Sequence, residues 1–125
     1  MIHGVIGLML WTDDVDRLAA FYRDVVGLKQ RSARQSRVSF GSPDSAFRLN
    51  IAKHSEVHGR ALEPKRMMLN LGTDDIHADY ARLKERGVPF LRPPEKEGWG
   101  GWTATFTDPD GNIVNIVNIL QIERL

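Results

Sequence analysis

The chain carries one pattern twice. Trp11-Thr12-Asp13-Asp14-Val15 returns as Gly72-Thr73-Asp74-Asp75-Ile76, and each copy opens a helical pattern that ends in glycine. Such a duplication constrains the fold more than any single element, because each copy must build the same supersecondary unit. In the first copy Leu18, Phe21, Tyr22 and Val25 recur at helical spacing, and Gly27 stands where a left-handed cap ends the helix. In the second, Ile76, Tyr80 and Leu83 precede Gly87, and Pro89 prevents continuation. Thr12 or Asp13, and Thr73 or Asp74, are the expected caps, since their side-chain oxygens can accept from the free amides of the first turn.

Apolar alternation places strands around these helices. The first half reads as a strand near 4–12, the helix, then strands near 28–34, 36–41 and 46–53. The second reads as a strand near 66–73, the helix, then strands near 88–91, 101–107 and 112–120. Ser42-Pro43-Asp44-Ser45 and Asp108-Pro109-Asp110-Gly111 are turns, with proline fixing one backbone angle and Gly111 free to take a left-handed one. The order is βαβββ twice, an α+β class. One domain is expected, with a first module at about 1–54, a polar linker at about 55–65 and a second module at about 66–125.

Composition narrows the functions open to such a fold. A chain of 125 residues with 42% hydrophobic and 26% charged residues is an ordinary globular domain. Its 17 basic and 16 acidic residues lack the concentrated positive charge that nucleic-acid backbones require, so no nucleic-acid partner is expected. With no cysteine there is no disulfide, thiolate zinc site or cysteine nucleophile. The apolar run Val5 to Trp11 is too short to cross a bilayer and lacks a basic flank, so it reads as a strand, and a cytoplasmic protein without membrane contact is expected.

The duplicated order, the Phe21-Tyr22 pair, the Val26-Gly27-Leu28 turn and the Asp108-Pro109-Asp110-Gly111-Asn112 hairpin resemble the vicinal oxygen chelate superfamily. That group holds glyoxalase I, extradiol dioxygenases, fosfomycin-resistance enzymes and bleomycin-resistance proteins. The resemblance covers nearly the whole chain and implies two βαβββ modules forming a curved mixed-sheet cup. It also implies a divalent metal held by a His or Glu on the first and last strand of each half. The matching positions here are Gly7, Asn50, Met68 and Asn115, none of which is a histidine or a carboxylate. No metal site and no cofactor are therefore expected. His54 and His58, with Glu56 between them, read as solvated linker residues, His77 as surface and His3 as a terminal residue.

Strand parity sorts side chains onto two faces. Ile6, Leu8 and Leu10, then Phe47, Leu49 and Ile51, then Met67, Leu69 and Leu71, then Val114 and Ile116, are expected under the helices. The other face collects Met9, Trp11, Arg48, Asn50, Met68, Asn70 and Asn115, with Trp99 in a glycine-rich loop as a lid. Two readings of that face stand: a dimer interface or second core layer, and a small-molecule pocket of sulfur and aromatic walls with a few directed polar groups. The run Lys29, Arg31, Arg34 and Arg37 reads as a solvated strand edge, with anion capture as the alternative.

The pocket reading divides into two function classes. One is a metal-independent binding protein of the bleomycin-resistance type, taking a planar or aromatic, neutral-to-anionic compound. The other is an enzyme of the glyoxalase or dioxygenase type with an atypical or absent metal shell. No catalytic residue can be named, and a homodimer is expected.

Overall fold

The computed structural model describes residues 1–118; the expected strand residues Ile119 and Leu120 lie outside them. The chain runs β1 (Gly7–Thr12), α1 (Val15–Ala20) with a π-helical continuation (Phe21–Val26), β2 (Gln30–Arg34), β3 (Arg37–Phe40) and β4 (Arg48–Lys53). A 3-10 turn (Pro64–Arg66) then leads to β5 (Met68–Thr73), α2 (Ile76–Glu85), β6 (Phe90–Lys96), β7 (Trp102–Thr107) and β8 (Ile113–Asn118). The βαβββ order occurs twice, and the class is α+β. The chain divides into two units, Met1–Gly59 and Arg60 onward.

Each unit holds one four-stranded mixed sheet, ordered β1-β4-β3-β2 in the first and β5-β8-β7-β6 in the second. The first and last strands of each unit pair in parallel, and the remaining pairs are antiparallel. A parallel pair needs a long connection, and the helix with two intervening strands supplies it.

The helix caps fall one residue beyond the expected ones. Asp14 accepts from the Arg17 amide and Asp75 from the Ala78 amide, both at 3.1 Å. The Thr12 and Thr73 hydroxyls instead accept from the amides of Asp14 and Asp75, each at 3.1 Å. The threonine thus closes the strand-to-helix turn, and the second aspartate is the first side chain placed to reach an amide three residues on. Gly27 ends the first helix at φ 93°, and its amide donates to the Tyr22 carbonyl five residues back, the π-type bond.

The helices bury part of each expected stripe: Leu18, Tyr22, Ile76 and Leu83 are buried, while Phe21, Val25 and Tyr80 are only half-buried. Leu18, Ala19 and Tyr22 share a core with Val38, Phe40, Leu49 and Ile51; in the second unit Ile76 and Leu83 share one with Ala104, Phe106, Val114 and Ile116. Three residues expected under the helices, Ile6, Phe47 and Met67, are exposed instead. Each lies one residue before its strand begins, where the pleat no longer directs the side chain. β6 also runs past its expected end at 91, through Pro93 and Pro94, with register shifts on either side of Arg92. The two prolines are tolerated there because β6 is an edge strand and its pairing with β7 is interrupted between Arg92 and Glu95. Among the described residues no helix is long and apolar enough to cross a membrane.

Candidate functional site

The eight expected site residues fall in two groups of four, one on each unit, on the sheet faces turned from the helices or beside them. In the first sheet, strand register aligns Met9, Asn50, Ser39 and Ser32 in one row and Trp11, Ala52, Arg37 and Arg34 in the next. Direct cross-strand partners share a face. The Ser39 hydroxyl donates to Asn50 Oδ1 at 2.9 Å, and the Asn50 amide N–H groups have no partner among the described residues. Trp11 is 44% exposed and meets the His54 ring edge-on at a centroid distance of 5.2 Å. Arg48 turns toward the loop before β4: its Nη1 donates to the carbonyls of Phe47 at 2.9 Å and Ser42 at 3.4 Å, and to that of Ser45. It thereby fastens the β3–β4 connection.

The second sheet repeats this design. Register aligns Asn70, Asn115, Thr105 and Arg92, so a hydroxyl residue again stands beside a central asparagine. The Thr105 hydroxyl donates to Asn115 Oδ1 at 2.7 Å, while Asn115 Nδ2 donates to Asn70 Oδ1 at 3.0 Å and to the Met68 sulfur at 3.6 Å. Asn115 is thus fully engaged and orients its neighbours; the Asn70 amide N–H groups have no partner among the described residues.

Arg92, Thr105 and Asn115 of this row line a cleft of about 340 Å³, together with Lys65, Met68, Leu91, Glu97, Trp99, Thr103 and Ile113; Asn70 is not among its lining residues. Trp99 stands on a tight turn, closed by the Glu97 amide donating to the Gly101 carbonyl at 2.7 Å and the Gly100 amide to the Glu97 carbonyl at 2.9 Å. Its indole lies over the bare Cα of Gly101 and forms a cleft wall. The Arg92 guanidinium donates to Glu95 at 2.7 Å and to Glu97, and these hydrogen bonds raise its pKa above the ordinary arginine value.

Met68, Asn115 and Trp99, expected on the ligand face, line this cleft, and so do Arg92, Glu97, Thr103 and Thr105, which were not expected there. Strand parity carried through β7 finds the threonines, which alternate with Trp102, Ala104 and Phe106. Parity cannot find Arg92, because the register shifts beside it break the alternation.

The four positions matching the family's metal ligands do not fit a divalent cation. Gly7 bears no side chain, and a β-carbon there would meet the Arg48 carbonyl oxygen at 2.5 Å. Asn50 and Asn115 present neutral amides whose oxygens already accept hydroxyl protons, and Met68 presents a thioether that accepts from Asn115. Nothing in this set carries the negative charge that offsets dehydration of a hard or borderline ion. His54 and His58 lie in loop rather than on a helix face, and the Glu56 amide donates to His54 Nδ1 at 3.0 Å. Among the described residues no three His, Asp or Glu side chains come together as a metal-holding group.

Comparison with known proteins places this geometry among relatives. A family model described as Glyoxalase/Bleomycin resistance protein/Dioxygenase superfamily matches residues 4–116. The chain is 28% identical over 119 residues to YurT of Bacillus subtilis (strain 168), covering 86% of this chain and 93% of that one. Among solved structures it resembles a member of the same superfamily from Sphaerobacter thermophilus DSM 20745, with TM-score 0.77, 25% identity, and 94% and 98% of the two chains covered. It also resembles TnmS3, an antibiotic-binding protein from Streptomyces sp. CB03234, with TM-score 0.77, 26% identity, and 95% and 98% covered. The fold extends to a lactoylglutathione lyase from Agrobacterium tumefaciens at 20% identity and TM-score 0.71.

Proposed function

Because the chain belongs to the Glyoxalase/Bleomycin resistance protein/Dioxygenase superfamily, we propose that it is a metal-independent, cytoplasmic binding protein for planar or aromatic compounds that are neutral to anionic. The observation that carries this reading is the chemistry of the four ligand positions, one without a side chain and three neutral. Where the fold can hold a charged metal shell, this chain has Gly7 and three neutral side chains, of which Asn50 and Asn115 are fixed by Ser39 and Thr105.

The chemistry of the faces selects the ligand. The polar capacity left over at the asparagines is donor capacity, on the amide nitrogens of Asn50 and Asn70, which suits carbonyl, quinone or carboxylate oxygens. Met68, Leu91 and Ile113 with Trp99 give the second sheet's cleft apolar and aromatic walls, while Met9 and Trp11 share the face of the first sheet that carries Asn50. Offset stacking on an indole contributes about 1 kcal/mol beyond buried area. The likeness to an antibiotic-binding protein supports a small-molecule ligand.

A thermal-shift screen of aromatic acids, quinones and antibiotics tests the proposal, with product analysis of every hit and elemental analysis of protein purified without chelator. Hits that bind unchanged, in a protein without stoichiometric metal, are expected. One-to-one metal content with turnover of a hit would overturn the reading in favour of an enzyme.

A further inference from the structure

The two sheet faces repeat one design but differ in charge. Arg92 on the second sheet is neutralised by Glu95 and Glu97. On the first sheet Arg34 and Arg37 are direct cross-strand partners, both exposed, and neither forms an ion pair among the described residues. The stretch from Leu28 to Gly41 contains no Asp or Glu to relieve them. Like charges set directly opposite each other destabilise a strand pair. The turn between them adds to this: Ser36 is the one non-glycine residue at positive φ among the described residues, at 55°. Locally, this hairpin tip works against its own folding.

Register places the pair in the row that ends in Trp11, with only Ala52 between Arg37 and the indole-bearing strand. Two strand spacings separate β1 from β3, about 10 Å. That is a distance an aromatic ring with an attached anionic group can bridge. Arg48, which register also places on this face, has Nη1 committed to loop carbonyls.

We propose that Arg34 and Arg37 form the anion-recognition element of this protein, clamping the carboxylate or phosphate oxygens of an aromatic ligand whose ring lies toward Trp11. A carboxylate or phosphate supplies two or more acceptor oxygens for two guanidinium groups, and its negative charge removes the repulsion between them. This rests on the reading of the sheet face as a ligand surface and adds the residues that set its charge preference.

Phenyl phosphate, benzoate and neutral benzamide serve as probes, titrated by calorimetry into the parent, Arg34→Gln, Arg37→Gln and the double variant. The parent is expected to bind the two anions at least about tenfold more tightly than benzamide, with affinity falling as salt rises, since exposed charges are screened within about 10 Å at 0.1 M ionic strength. Each single variant is expected to lose most of that preference and the double variant all of it. Without ligand, the variants should melt no lower than the parent, because the repulsion is gone. Equal binding of benzoate and benzamide by the parent, or anion binding retained in the double variant, overturns the proposal. Screen hits that bind the double variant normally while depending on Trp99 would leave the binding function standing, so the two failures are distinguishable.

Discussion

Trp99 lies so close over Gly101 that a β-carbon at position 101 would stand 1.9 Å from the indole. The aromatic wall of the second sheet's cleft therefore depends on the absence of one methyl group, two residues along the chain. Gly101→Ala must displace the ring. Ligands held in this cleft are expected to bind about tenfold more weakly to this variant, or 1.4 kcal/mol, as they should to Trp99→Ala. Calorimetric titration of any hit checks this; unchanged affinity would remove Trp99 from the site.

Gly7 allows no side chain on the present backbone, because a β-carbon would meet the Arg48 carbonyl oxygen at 2.5 Å. Gly7→Ala is expected to destabilise the protein by about 1–3 kcal/mol through overpacking. Chemical denaturation measures it. A Gly7→His variant that melts like the parent and takes up nickel would show that this strand can accommodate the family's ligand after all.

Asp75 caps α2 through its bond from the Ala78 amide, at 3.1 Å. Asp75→Ala should cost about 1 kcal/mol, while Asp75→Asn, which keeps the acceptor oxygen, should cost much less. Equal losses in the two variants would mean that charge rather than capping matters there.

β1 and β5 are each an edge strand of their own sheet, with exposed Ile6 just before the one, exposed Met67 just before the other and exposed Met68 at its start. Edges bordered by apolar side chains invite pairing with another chain. A homodimer is expected, and light scattering at micromolar concentration should report twice the chain mass of 14.1 kDa. A mass of 14.1 kDa would refute it.

Much of the fold was legible because the duplication constrains it twice. The Thr-Asp-Asp repeat, the glycine stops and the helical stripes fix βαβββ without knowledge of contacts. The charge relations of the site were hidden for a definite reason. Arg34 and Arg37 are near in sequence, yet only the register shows that they face each other and share a row with Trp11. Arg92 and Glu97 meet because β6 departs from regular pairing around Pro93 and Pro94, which alternation cannot foresee. The bond that engages Arg48 Nη1 with the Phe47 carbonyl depends on a loop conformation that no periodicity encodes.

Calorimetric titration of the best screen hit, before and after exhaustive dialysis against EDTA, bears most directly on metal-independent binding. The expected result is one-to-one binding with the same affinity in both preparations, weakened about tenfold by Trp99→Ala. Affinity that disappears with EDTA and returns on adding one equivalent of nickel, manganese or iron would contradict it.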